Sequence, residues 1–144
     1  MKGHHAAAPR LARGVRTFDG ARRRAASLWE FDWTFGSGDE AFAGHFPHQP
    51  ILPGVFLVEM SLRAAEFALQ SEAGAPHRVF SVERFRFLSP ILPGDACNLL
   101  VDWSAPSATN DMIALHVSFT KADATVAQGV LGARQAERLE WVSP

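Results

Sequence analysis

The sequence contains a single cysteine, Cys97, in 144 residues. One thiol cannot close an internal disulfide, and it excludes a zinc site built on cysteine ligands. No uninterrupted apolar run approaches the roughly 18 residues that a membrane span needs. Internal repeats and long Gly/Ser-rich or Pro-rich linkers are also missing. What is there is ordinary for a folded chain: 47% hydrophobic and 20% charged residues, a balance that excludes wholesale disorder. The length suits one domain, not two independent catalytic domains. These properties lead us to expect a soluble, cytoplasmic protein with a modest core and no membrane association.

The net charge of -1 hides an asymmetry. Residues 1–24 carry seven basic residues against one acid, Asp19, a balance of +6, while the remaining 120 residues hold seven basic and fourteen acidic ones, a balance of -7. The body is therefore no candidate for a polyanion binder, and nucleic acid is not an expected partner. The head, residues 1–24, reads as a basic, flexible N-terminal segment. Residues 25–144 read as the single domain.

Aromatic alternation at Leu28, Trp29, Phe31, Trp33 and Phe35 predicts a strand over 25–35. The segment from Gly44 to Gly54 holds Pro47, Pro50 and Pro53, so it is a stiff loop, neither helix nor central strand. A helix follows Pro53-Gly54, with Val55, Val58, Leu62, Ala65 and Leu69 on one stripe, and the Ser71–Pro76 run ends it. Four further strands are expected over 78–88, 97–104, 112–121 and 125–135, in meander-like order. Lys121-Ala122-Asp123-Ala124 is the expected hairpin connection, although it lacks the favoured glycine. One helix beside one antiparallel sheet is an α+β layer fold.

The chemistry concentrates between Gly44 and Glu59. His45 opens the proline-stiffened loop and can act as a base near neutral pH. Glu59 lies among Val58, Met60 and Leu62, where desolvation favours the protonated form of a carboxyl group. Gly54 opens the helix, so its N–H and that of Val55 point outward unpaired at the positive end of the helix dipole. A carbonyl oxygen placed there is stabilised as it becomes enolate-like. Base, acid and oxyanion donor together suit abstraction of a proton beside a carbonyl, with elimination or addition at the β carbon.

His45-Phe46-Pro47, then Pro50-Ile51-Leu52-Pro53-Gly54-Val55, then Glu59 fourteen residues after the histidine, resembles the active-site block of FabZ/FabA-type β-hydroxyacyl-(acyl carrier protein) dehydratases. The stretch from Phe85 to Asp95, with its Pro93-Gly94-Asp95 turn, resembles the same family in a supporting way. The resemblance runs from about Leu28 to Gln135. It implies the hotdog fold, a long central helix wrapped by an antiparallel β-sheet. It implies His45 as the base that removes the α-proton of a 3-hydroxyacyl thioester, and Glu59, contributed by the other protomer across a dimer interface, as proton donor or water positioner at the departing hydroxyl. It implies the Gly54 N–H, with Val55, as the carbonyl-polarising backbone. Phe46, Pro53, Arg63, Arg84 and Arg86 become candidates for contact with substrate or carrier. The implied partners are an acyl carrier protein, which delivers the chain on phosphopantetheine, and a second copy of the chain, in a homodimer or an oligomer built from dimers. No metal or soluble cofactor is implied, and the setting is fatty acid or polyketide-type biosynthesis.

Two features depart from that pattern. Arg63 stands four residues after Glu59 where the family has glutamine, and at that helical spacing the two can pair, which opposes service of Glu59 as an acid. The family's usual leading segment is not recognisable in residues 1–24. Other residues read as ordinary: Cys97 as core, His48 as surface, and His116 as a structural or surface histidine. Two alternatives to the dehydratase stay open. One is a hotdog thioesterase in which Glu59 activates water. The other is a non-catalytic hotdog partner subunit that binds acyl carrier protein.

Overall fold

The computed structural model describes residues 18–36, 51–104 and 111–136. Strands β1 (Gly20–Ala25) and β2 (Leu28–Thr34) precede helix α1 (Gly54–Ala73). Strands β3 (His77–Phe87), β4 (Ala96–Trp103), β5 (Ile113–Lys121) and β6 (Ala124–Gln135) follow. All pair antiparallel in one six-stranded sheet of order β1-β2-β4-β5-β6-β3. No helix among the described residues is long and apolar enough to cross a membrane.

Period-2 alternation sets the inner face. Trp29, Phe31 and Trp33 of β2, Leu99 and Val101 of β4, and Leu115, Val117 and Phe119 of β5 are all buried. Helix α1 meets this bulky surface with small residues: Ser61, Ala64, Ala65 and Ala68 are fully buried. Large side chains on the sheet and small ones on the helix let the two layers approach closely. Ser61 is satisfied by donating from Oγ to the Val58 carbonyl, 2.8 Å away. Phe67 pushes from the helix into the aromatic cluster, with ring centroids 5.0 Å from Phe18 and 5.9 Å from Trp29.

The sheet curls until both of its edges reach the helix. At one side Glu72, in the last turn of α1, accepts hydrogen bonds from Trp29 Nε1 (2.9 Å), the Ser27 amide (2.8 Å) and Arg23 Nε (3.3 Å). At the other side Glu66 accepts from the Val79 amide of β3 at 2.9 Å. Gly74 ends the helix in the left-handed region (φ 76°) and donates its amide to Gln70.

Three sequence expectations need correction. The boundary at residue 24 falls too late, because Gly20–Ala25 is edge strand β1. Two of its three arginines meet acids of the neighbouring strand: Arg22 bonds Asp32 at 2.9 Å, and Arg24 bonds Glu30. The sequence separates these charges, and only pairing of β1 with β2 brings them together. Residues 1–17 of the expected flexible head lie outside the described residues. Second, β3 does not neighbour β4. It lies beyond β6 at the far edge, where it returns alongside the helix, and only β4, β5 and β6 form a meander. Third, the buried helix stripe runs through Leu57, Met60, Ser61, Ala64 and Ala68, and it shares only Ala65 and Leu69 with the expected one. Val55 is 67% exposed. Side-chain size chose the stripe, since alanines permit the close approach that valine and leucine would prevent.

The β5–β6 hairpin forms where expected. Ala122 (φ 51°) and Asp123 (φ 68°) both take the left-handed conformation of a type I′ turn, in place of the usual glycine.

Burial alone would raise the carboxyl pKa of Glu72, but hydrogen bonds from Trp29, Ser27 and Arg23 outweigh it and hold the group below its ordinary value. A carboxyl depressed in the folded state stabilises the fold above its unfolded pKa, and that stabilisation is lost as pH falls through the folded value. Glu72→Gln is therefore expected to lower unfolding stability by about 1–2 kcal/mol at neutral pH. The gap from wild type should narrow below about pH 4, as urea denaturation at the two pH values would show.

Candidate active site

Helix α1 begins without a side-chain cap and with no acidic residue in its first turn. Pro53 occupies the N-cap position with extended backbone (ψ 142°), and the Phe56 amide folds back to the Pro53 carbonyl at 3.0 Å. The amides of Gly54 and Val55 precede the first intrahelical acceptor, so they remain as donors at the positive end of the dipole. Gly54 lines a cleft of about 490 Å³ whose other walls include Ile51, Leu52, Leu57, Phe87 and Ile91. The walls are mostly apolar, which suits an acyl chain better than a charged ligand.

The cleft's lip is pinned from several directions. Leu52 donates its amide to the Ile91 carbonyl at 2.8 Å. Asp95 accepts from the Leu92 amide and from Lys121 Nζ, and Lys121 also donates to the Pro90 carbonyl. Burial would raise the Asp95 pKa, but Lys121 and the Leu92 amide more than compensate and keep it ionised. Phe87 closes on the helix start: a Cβ at position 54 would come within 2.9 Å of its ring. Glycine at 54 therefore serves the close approach of Phe87, and it also leaves the amide accessible.

Glu59 lies one turn beyond Val55 on the same helix face. Its carboxylate is not isolated among apolar groups as expected. Arg63 Nε donates to Glu59 Oε2 at 2.8 Å, and the two side chains are 44% and 27% exposed. Arg63 Nη1 also lies 3.9 Å from Glu66 Oε1. Glu66 was missed by the sequence reading, although its spacing of three from Arg63 could have revealed it. The expected base, His45, and the neighbouring Phe46 lie outside the described residues, as does His48.

Arg84 and Arg86 are not part of this constellation. Register places Arg86 opposite Gln128, and Gln128 opposite Ser118, on the outer sheet face away from the helix. With His116 these residues line an open groove of about 350 Å³. A bulge between Glu83 and Arg86 puts Arg84 in the left-handed region (φ 52°). The bulge seats Phe85 against Gly129, where an added Cβ would lie 2.4 Å from the ring. Cys97 is buried in the core as expected, and burial pushes its thiol up to about 12, so it is inert near neutral pH.

A helix with a small-residue face, laid in a sheet that curls round it, defines the hotdog class of proteins. The sequence profile of the ApeI-like dehydratases matches residues 21–130, and the chain belongs to that family. Curated relatives include 3-hydroxyacyl-[acyl-carrier-protein] dehydratase FabZ of Dechloromonas aromatica, 37% identical over 67 residues, covering 42% of this chain and 46% of the relative. The FabZ of Bordetella parapertussis is 35% identical over 77 residues, covering 47% and 51%. The chain thus spans about half the length of these curated relatives. Among solved structures, the dehydratase heterocomplex ApeI:P of Xenorhabdus doucetiae superposes with TM-score 0.61 at 22% identity, covering 81% of this chain and 95% of that one. The PaaI protein of E. coli (TM-score 0.63, 16% identity, 77% and 74% covered) shares the fold. So does an acyl-CoA hydrolase of Staphylococcus aureus (0.64, 18%, 78% and 68%).

Gly129→Ala must displace the Phe85 ring and the bulge that carries Arg84. It is expected to cost about 1–3 kcal/mol in urea denaturation, more than a surface substitution such as Gln128→Ala.

Proposed function

We propose that this protein is a hydro-lyase that dehydrates 3-hydroxyacyl thioesters to trans-2-enoyl thioesters. The observation that carries the reading is the uncapped start of α1. Gly54, whose amide has no backbone acceptor among the described residues, lines an apolar cleft beneath a phenylalanine that only glycine at 54 accommodates. The thioester carbonyl oxygen sits at the Gly54 and Val55 amides, which favour the negative charge of an enolate-like state. His45 removes the α-proton, the Cβ–O bond breaks as the double bond forms, and the hydroxyl leaves as water with the proton returned by the His45 imidazolium while Glu59 orients it. The acyl chain lies along the Ile51, Leu52 and Ile91 wall. Membership of a dehydratase family supports this assignment.

The thioester arrives on the phosphopantetheine of an acyl carrier protein, and the reaction calls for no metal or soluble cofactor. Among the described residues Arg84 and Arg86 form no ion pair, and their groove suits an acidic carrier better than the acid-rich surface of β2. The assembly is a dimer or an oligomer of dimers, joined through edge strand β3. That edge exposes Phe80, Val82 and Phe87, an apolar surface that a monomer would leave in water. Fatty acid or polyketide-type biosynthesis in the cytoplasm is the setting. The Arg63–Glu59 pair favours one second reading: a charged carboxylate can orient water for thioester hydrolysis, and the acyl-CoA hydrolase of similar fold is compatible with that chemistry.

The test follows the absorbance of a short trans-2-enoyl thioester. His45→Ala and Glu59→Gln should each lower turnover at least about 100-fold. Gly54→Ala must displace Phe87, so it is expected to cost about 1–3 kcal/mol of stability and, in the protein that stays folded, to lower turnover at least about tenfold because the methyl and the displaced ring obstruct the amide. Release of free thiol without change in the enoyl signal would transfer the assignment to the thioesterase.

A further inference from the structure

We infer that Arg63 is a positioning residue that holds Glu59 as a fixed hydrogen-bond acceptor for the substrate hydroxyl; this rests on the dehydratase reading above. Along one face of α1 a chain of contacts runs from the edge strand to the active carboxylate. The Val79 amide donates to Glu66 Oε2 at 2.9 Å. Val79 adjoins a register shift in β3, and its amide turns to the helix. The other oxygen of Glu66 faces Arg63 Nη1 at 3.9 Å, and Arg63 Nε donates to Glu59 Oε2 at 2.8 Å. The guanidinium thus lies between two carboxylates, one anchored to backbone and the other free to meet substrate.

Stability does not account for this arrangement. Arg63 is 44% exposed, and ion pairs at such positions contribute little to folding. Geometry does. The 2.8 Å hydrogen bond from Nε sets the planar guanidinium against Glu59, and Glu66, 3.9 Å from Nη1 and beyond hydrogen-bond reach, biases the other limb by charge alone. Held at Oε2, Glu59 presents Oε1 as its remaining acceptor. A substrate carrying a 3-hydroxyl donates to that oxygen, whereas an acyl thioester without the hydroxyl leaves it unmatched. Arg63 therefore acts on orientation through Glu59 and does not bind the thioester itself. The earlier expectation of Arg63 as a substrate or carrier contact is replaced by this role.

The experiment compares Arg63→Met, Arg63→Lys, Glu66→Gln and Glu59→Gln with wild type in the full chain. It measures kcat and KM with 3-hydroxyacyl and trans-2-enoyl pantetheine thioesters, and thermal midpoints alongside. Arg63→Met should lower kcat at least about tenfold with KM within about twofold, because orientation in the transition state is lost and ground-state binding is not. Arg63→Lys keeps the charge beside Glu59 and should recover part of kcat, while Glu66→Gln should show a smaller loss of the same kind. Thermal midpoints should stay within about 3 °C of wild type. Loss in Glu59→Gln with Arg63→Met unchanged would overturn the positioning role alone. A rise in KM with kcat preserved in Arg63→Met would overturn it in favour of direct substrate contact. Full activity in Glu59→Gln, or wild type inactive on both thioesters, would overturn the underlying dehydratase reading together with this one.

Discussion

Packing of a small-residue helix face against an aromatic sheet is the constraint on which the rest of the molecule depends. Ala64, Ala65, Ala68 and Ser61 bring the axis of α1 close to Trp29, Phe31 and Trp33, and the sheet must curl to cover it. Curling brings both sheet edges to the helix. Glu72 can then reach Trp29 and Ser27 at one side, and Glu66 can reach Val79 at the other. Neither carboxylate would find such donors beside a flat sheet. An acid at the C-terminal end of a helix opposes the dipole, and the three donors around Glu72 offset that penalty.

The same packing shapes the candidate site at the helix start. Because β3 returns antiparallel beside α1, its last residue, Phe87, arrives over Gly54. The helix start is therefore covered by an aromatic ring on one side and open to the cleft on the other. Lys121 and Asp95, from the far hairpin and the loop before β4, hold the lip in place. The site is assembled from pieces remote in sequence, but each is tied to a rigid element.

Charge follows a similar division of labour. Arg22 and Arg24 of β1 meet Asp32 and Glu30 and Arg23 meets Glu72, whereas Arg84 and Arg86, on the outer face of β3, form no ion pair among the described residues. Arg63 belongs to neither group, since it lies inside an acidic ladder on the helix. A count of +6 and -7 for the two parts of the chain concealed all three arrangements.

Much was legible from residue order alone. Alternation gave β2, β4, β5 and β6 to within a few residues, because period-2 burial of aromatics and branched side chains is a local pattern. Pro53-Gly54 marked the helix start and Gly74 its end, because those residues act through their own backbone geometry. The spacing of Glu59 and Arg63 foretold their pairing for the same reason. Strand order, the sheet position of Gly20–Ala25, the helix face that is buried, and the separation of Arg84 and Arg86 from Glu59 were decided by tertiary structure. Each depends on which surfaces meet across the fold, and that is settled by the fit of small against large side chains and by the curl of the sheet. The chain order of residues carries the local rules, and only their packing decides which distant groups become neighbours.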